Sequence, residues 1–204
     1  MLAEVQGVVT ATGFGTPRRM STGFDFNRRA MLIAVLEKRA GFFFNTMDAY
    51  INVVSGLRLD EPAADLSVAM ALVSSLKDAV IGDKVLAFGE IGLAGEIRAV
   101  SHCEQRVQEA GRLGFQRCVI PFHNYKSLSK ELKKELDIVP VRTVRDAFSA
   151  LTVKELYFDL IKDPAVARSF CLFYYRSQSS QALRRCGLGL MFAGGHRAVV
   201  HLVI

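Results

Sequence analysis

Apolar positions along this chain alternate between a period of two and a period of three to four. Residues 2–10 (LAEVQGVVT) have the alternation of a half-buried strand. A loop rich in Gly, Ser, Thr and Pro follows (ATGFGTPRRMSTGFD). Met31, Leu32, Val35 and Leu36 then share one face of a helix that runs to about Arg39. Asp25 or Asn27 can cap its start, and Gly41 ends it. Residues 42–44 and 48–54 read as paired strands around the turn Asn45-Thr46. Pro62 stands near the start of a helix reaching about Lys77, and its apolar residues fall on every side. Such a helix is buried on more than one face.

Residues 84–88 and 95–100 read as further strands. Ser101-His102-Cys103-Glu104 has the S-x-x-E order of a capping box, opening a helix to about Leu113 that Gly114 closes. Residues 118–120 form a short buried strand ending at Pro121. A Lys-rich amphipathic helix over 124–136, a strand over 138–141 and a helix over 143–151 complete the series. Strands alternating with helices define an α/β (α+β) domain, a mixed sheet packed with helices.

The pattern breaks after about Leu151. Residues 152–204 mix aromatics, Ser, Gln and Gly without a sustained period. The domain is therefore expected to occupy residues 1–151. The remainder is an atypical tail of unassigned fold: an appendage, a poorly ordered segment or non-native sequence appended by frameshift. A domain of ~150 residues buries about 70% of its unfolded surface, enough to fold without a disulfide or metal.

Charge changes this picture little. The net charge is +6, of which residues 154–204 contribute +4 and residues 1–153 only +2. A high isoelectric point of that origin does not by itself argue for nucleic acid. The densest apolar run, Ala30 to Leu36, is flanked by charges and far shorter than a membrane span. Cys103, Cys118, Cys171 and Cys186 show no metal spacing and read as reduced thiols, so the expected location is cytoplasmic, away from membranes.

Several residues invite a chemical reading. Asp60, Glu61 and Asp65 crowd the entrance of the second helix, where carboxylates favour the positive end of the dipole; a metal site is the rival reading, and no metal is expected. Ser67 lies one turn inside, where a serine packs or bonds a carbonyl. Cys118 with His123, and Cys103 beside His102, match no zinc pattern. No G-x-x-x-x-G-K-[ST] occurs, so no ATP site is expected in this chain. The loop TPRRMSTGFDFNRR is the strongest positive feature. Arg18, Arg19, Arg28 and Arg29 form two pairs separated by hydroxyl-bearing residues, and guanidinium forks suit phosphates, which makes these four the candidate DNA-contact residues. Subunit contacts or plain solvated charges are the alternatives. Phe14, Phe24 and Phe26 could stack on bases.

Four long segments carry a resemblance: EVQGVVTATGFGTPRRMSTGFDFNRRAMLIAVLEKRAG, INVVSGLRLDEPAADLSVAMALVSSLKD, FGEIGLAGEIRAVSHCEQRVQEAGRLGF and VIPFHN. In this order they resemble the C-terminal Lon-protease-like domain of the RadA family of bacterial DNA repair proteins, over about residues 2–151. The resemblance implies the Lon proteolytic-domain fold. It also implies where a Ser-Lys dyad would stand: the serine at Ala63, by the shared ALVSSL helix, and the lysine at Glu104, by the G-E-x-x-L-x-G segment at Gly89 to Gly95. Neither catalytic group is present, so no catalytic residue is expected. Family members add a zinc finger and a RecA-like ATPase and act as hexameric, DNA-dependent ATPases in branch migration. The resemblance thus implies DNA and further copies of the chain as partners, with ATP and zinc confined to the other domains. A Ser-Lys peptidase with relocated groups and a ring scaffold that never touches DNA are the competing functions.

Overall fold

The structure, a computed structural model, describes residues 2–13, 15–82, 84–151 and 198–203. Its frame is a seven-stranded mixed sheet. In chain order the strands are β1 (Leu2–Ala11), β2 (Arg19–Thr22), β3 (Met47–Val53), β4 (Val85–Ala87), β7 (Arg117–Pro121), β8 (Asp137–Val141) and β9 (Ala198–Val203); across the sheet they run β2-β3-β1-β9-β4-β7-β8. Two short strands, β5 (Glu90–Ile91) and β6 (Ile97–Arg98), pair separately.

The alternation of β1 becomes two faces. Ala3 and Val5 are buried and Gly7 points the same way, while Gln6 bonds Glu4 and Asn52 on the other side. Against the first face lies α2 (Asp65–Leu76), entered through a 3₁₀ turn at Pro62–Ala64. Every residue from Asp65 to Ser74 is buried, as the all-round apolar pattern predicts. A side chain at Gly7 has no room: a Cβ there would lie 2.7 Å from the Ala71 carbonyl carbon. The backbones of strand and helix touch, and the Ser75 hydroxyl accepts the Val9 amide at 2.8 Å to fix the far end.

Around this pair, α1 (Phe26–Val35) is capped by Asp25, whose carboxylate accepts the Arg28 amide at 2.8 Å. The helix widens to a π turn over Leu36–Ala40 and stops at Gly41, whose φ of 74° is the left-handed value its place demands. The other helices are α3 (Cys103–Arg112), α4 (Phe122–Ser127), α5 (Leu132–Glu135) and α6 (Val144–Leu151).

Four sequence expectations change. Residues 42–44 are not a strand, because the Phe42 amide bonds the Leu36 carbonyl and the Phe44 amide bonds the Glu37 carboxylate; the helix end uses the groups a ladder would need. The helix expected over 124–136 divides into α4 and α5 with Leu128 extended between them. Asn124 holds the first piece to Val100 through reciprocal bonds of 2.9 Å. The capping box at Ser101 and Glu104 does not form. His102 is the N-cap, in left-handed conformation with no side-chain bond, so Ser101 is a residue too early.

The largest change concerns the boundary at 151. Residues 198–203 pair antiparallel with β1, from Leu2↔Val203 to Gly7↔Ala198, and parallel with β4. A short β-branched run signals a strand but not the sheet it enters, so the sequence alone leaves it out of the core. Phe14, Cys171 and Cys186 lie outside the described residues.

Gly7→Val is expected to destabilise the chain by at least the 1–3 kcal/mol typical of overpacking. The midpoint of urea unfolding checks this, and an unchanged midpoint would contradict the close approach of β1 and α2.

Candidate functional site

The entrance of α2 gathers the acids that the sequence singled out, and each has an arginine. Asp65 is fully buried; Arg28 reaches it from α1 with two nitrogens, Nε to Oδ1 and Nη2 to Oδ2, the latter at 2.7 Å. The Ile91 amide adds a third bond at 3.1 Å. Burial pushes the Asp65 carboxyl up from its ordinary range, against the pull of Arg28 and that amide, while the hydrogen bond to Asp65 raises the Arg28 guanidinium. Glu61 pairs with Arg106, and Asp60 with Arg58 on the surface at 2.8 Å. The carboxylates are engaged. Among the described residues no group of three His, Cys, Asp or Glu could hold a metal.

Ala63 is buried in the turn before α2, and its carbonyl accepts the Gly89 amide at 2.9 Å while Leu66 donates to Gly89 at 3.0 Å. The position is closed by backbone and carries no hydroxyl. Glu104 is exposed on the first turn of α3. Arg106, two residues after Glu104, is buried and joins α3 to Glu61, two residues before Ala63. Its remaining donors go to the Ser101 carbonyl, at 3.2 Å, and the Val203 carbonyl. An ion pair thus links the two segments where a dyad would be sought. Ser67 is buried and donates to the Ala87 carbonyl at 2.7 Å, which leaves its oxygen fixed in the core.

The four candidate arginines separate into two kinds. Arg18 is exposed, and its backbone is held by Asp48, whose carboxylate accepts the Arg18 amide and the Thr12 hydroxyl, each at 2.8 Å. Arg19 is half-buried on β2, at the edge of the sheet, with a long 3.5 Å contact to the Phe44 carbonyl. Arg28 is the partner of Asp65. Arg29 is 1% exposed: it donates to the Ser21 hydroxyl at 3.0 Å and lies 4.6 Å from the centre of the Phe26 ring. Burial, and then the charge of Arg19, push its guanidinium down.

So Arg28 and Arg29 are engaged within the fold, while Arg18 is exposed and Arg19 is half-buried with only the long contact to Phe44. Phe24 is buried, whereas Phe26 is 64% exposed. Phe24, Phe26, Asp25 and Arg58 line an open hollow of about 250 Å³. The sequence did carry one signal for the hidden pair: a carboxylate at the head of an all-round apolar helix needs a buried partner.

Cys103 and Cys118 are buried free thiols, and burial pushes each up to about 12. No helix among the described residues is long and apolar enough to cross a membrane.

A mixed sheet with a buried helix behind a proline turn, a β5-β6 hairpin and α3 following it is the arrangement of a known class. The Lon protease (S16) C-terminal proteolytic domain family matches residues 31–154, and the chain belongs to that family. Among its relatives, the DNA repair protein RadA of Halalkalibacterium halodurans is 46% identical over 147 residues, covering 72% of this chain and 32% of the relative. RadA of Streptococcus pneumoniae is 45% identical over 146 residues, covering 72% and 34%. RadA of Bacillus subtilis is 44% identical over 147 residues, covering 72% and 32%. This chain spans about a third of the length of these curated relatives.

Two expectations follow. Arg28→Ala leaves a buried carboxylate without its guanidinium and should cost about 3–5 kcal/mol at pH 7. With its partner gone, Asp65 is raised further, so the loss should shrink as pH falls toward ~4, where the unfolded carboxylate also gains its proton. Arg18→Ala should stay within about 0.5 kcal/mol; denaturant unfolding at the two pH values distinguishes them. For the thiols, the folded state keeps protons that the unfolded chain loses near pH ~8.5. Stability should therefore fall above that pH, by up to ~1.4 kcal/mol per unit for each thiol. In the folded chain, alkylation at pH 8 should spare Cys103 and Cys118 until denaturant is added, as peptide mapping would read.

Proposed function

We propose that this chain is a non-proteolytic Lon-like module of a RadA-type DNA repair protein, serving oligomerisation and DNA contact. The observation that carries the reading is that neither dyad group stands at the position where the resemblance to Lon-type Ser-Lys proteases places it. Position 63 is a buried alanine with no nucleophilic atom, and position 104 is a carboxylate rather than an amine that could activate a hydroxyl. Ser67 is no substitute, since its hydroxyl is committed to Ala87 inside the core.

In this reading the partner is single-stranded or branched DNA, held without regard to sequence, and copies of the chain form a ring, taken to be hexameric. The remaining length of a RadA-type protein brings the zinc finger and the ATPase, so zinc and ATP act there. DNA contact falls to Arg18 and Arg19 at the sheet edge, with the exposed Phe26 as a stacking surface. A scaffold without DNA contact is the second reading, favoured by the internal use of Arg28 and Arg29.

Titration of the whole chain with labelled single-stranded DNA at several salt concentrations tests this. Binding should fall steeply with salt, and Arg18→Ala/Arg19→Ala should weaken it and flatten the log–log slope by about 0.7 for each phosphate no longer neutralised. The charged tail is common to both proteins and cancels in the comparison. A slope unchanged in the double variant removes the arginine assignment. Assembly with no binding at any salt leaves the scaffold. Casein should not be cleaved, and turnover abolished by Ser67→Ala would revive the peptidase.

A further inference from the structure

The strand β9 stands in the middle of the sheet yet arrives from far along the chain. Forty-six residues, 152–197, separate it from α6. Its own site, between β1 and β4, is built by residues 2–11 and 85–87, and the family match ends at residue 154, before β9 begins. The slot is specific. Six residues of β9 are in register with β1, and Val200, Leu202 and Val203 are buried. The His201 ring lies 5.3 Å from that of Phe115, and Arg106 donates to the Val203 carbonyl. Left empty, the slot would expose the backbone donors and acceptors of β1 and a strip of the core, a state that chains relieve by taking up a strand.

Nothing in these contacts requires that β9 belong to the same copy. A connection of 46 residues reaches on the order of 150 Å when extended, enough to enter a neighbour. Every bond in the slot is identical whether the strand comes from its own chain or another, so exchange alters only the connection. We propose that the slot between β1 and β4 takes up the Ala198–Val203 strand of a second copy, joining copies by reciprocal strand exchange. This proposal is independent of any DNA contact.

Glu4 and His201 face each other across β1 and β9, both half-exposed. Directly opposed residues of antiparallel strands have Cα atoms about 4.5–5.5 Å apart, within disulfide reach. Two variants of the 204-residue chain are prepared, one with Glu4→Cys and one with His201→Cys, each with Cys171 and Cys186 changed to serine. They are mixed over a range of concentrations, incubated and oxidised. Strand exchange gives a disulfide-linked dimer containing one copy of each, well above the dimer from either protein alone and rising with concentration. A protein carrying both new cysteines reports the slot itself, since it must cross-link either within or between copies. If that protein closes within the monomer while the mixture yields no mixed dimer at any concentration, exchange is overturned. If neither sample cross-links, the slot and its register are overturned.

Discussion

Burying α2 on every side is the constraint from which the rest of this domain follows. A helix with no solvent face cannot leave a charge at its end unpartnered, yet Asp65 opens it. Arg28 must therefore come down from α1 to meet the carboxylate, which sets how α1 approaches and what the preceding loop can do. The same burial allows no gap between α2 and the sheet, and Gly7 is the residue that lets the two backbones touch. The polar groups at this end of the molecule are thus first of all structural, and what remains for partners is decided by which arginines the core has not used.

Much of the frame was legible in the sequence. The alternation in β1, the Asp25 cap, the Gly41 stop and the all-round apolar pattern of α2 each reflect local physics, and each is where it was expected. What failed depended on distant partners. Phe42 and Phe44 look like strand residues until the end of α1 takes their amides. Ser101 and Glu104 look like a capping box until His102 turns the chain. Four arginines in one loop look equivalent, because sequence does not record that Asp65 lies behind Arg28 or that Arg29 is enclosed by Ser21 and Phe26.

At the entrance of α2 an ion pair fixes which segments meet. Glu61 and Arg106 hold the turn before α2 to α3 through an ion pair, with two further carbonyl contacts from Arg106. A pair with one partner buried, as Arg106 is, and the other half-buried adds little stability over an apolar alternative but fixes which segments meet. The turn at Pro62 and the start of α3 are thereby held in a fixed relation.

The register of β1 with β9 also governs when this sheet can be finished during synthesis. Leu2 pairs with Val203, so during synthesis β1 waits for a strand made some two hundred residues later. At bacterial or eukaryotic elongation rates of about 5–20 residues per second, that wait is on the order of 10–40 s. Once β4 has been made, β1 and β4 still lack the strand that pairs with both, and the sheet against α2 is incomplete. Until β9 follows, the β1 edge that it covers keeps unpaired backbone donors and acceptors, the kind of edge at which chains aggregate or exchange strands.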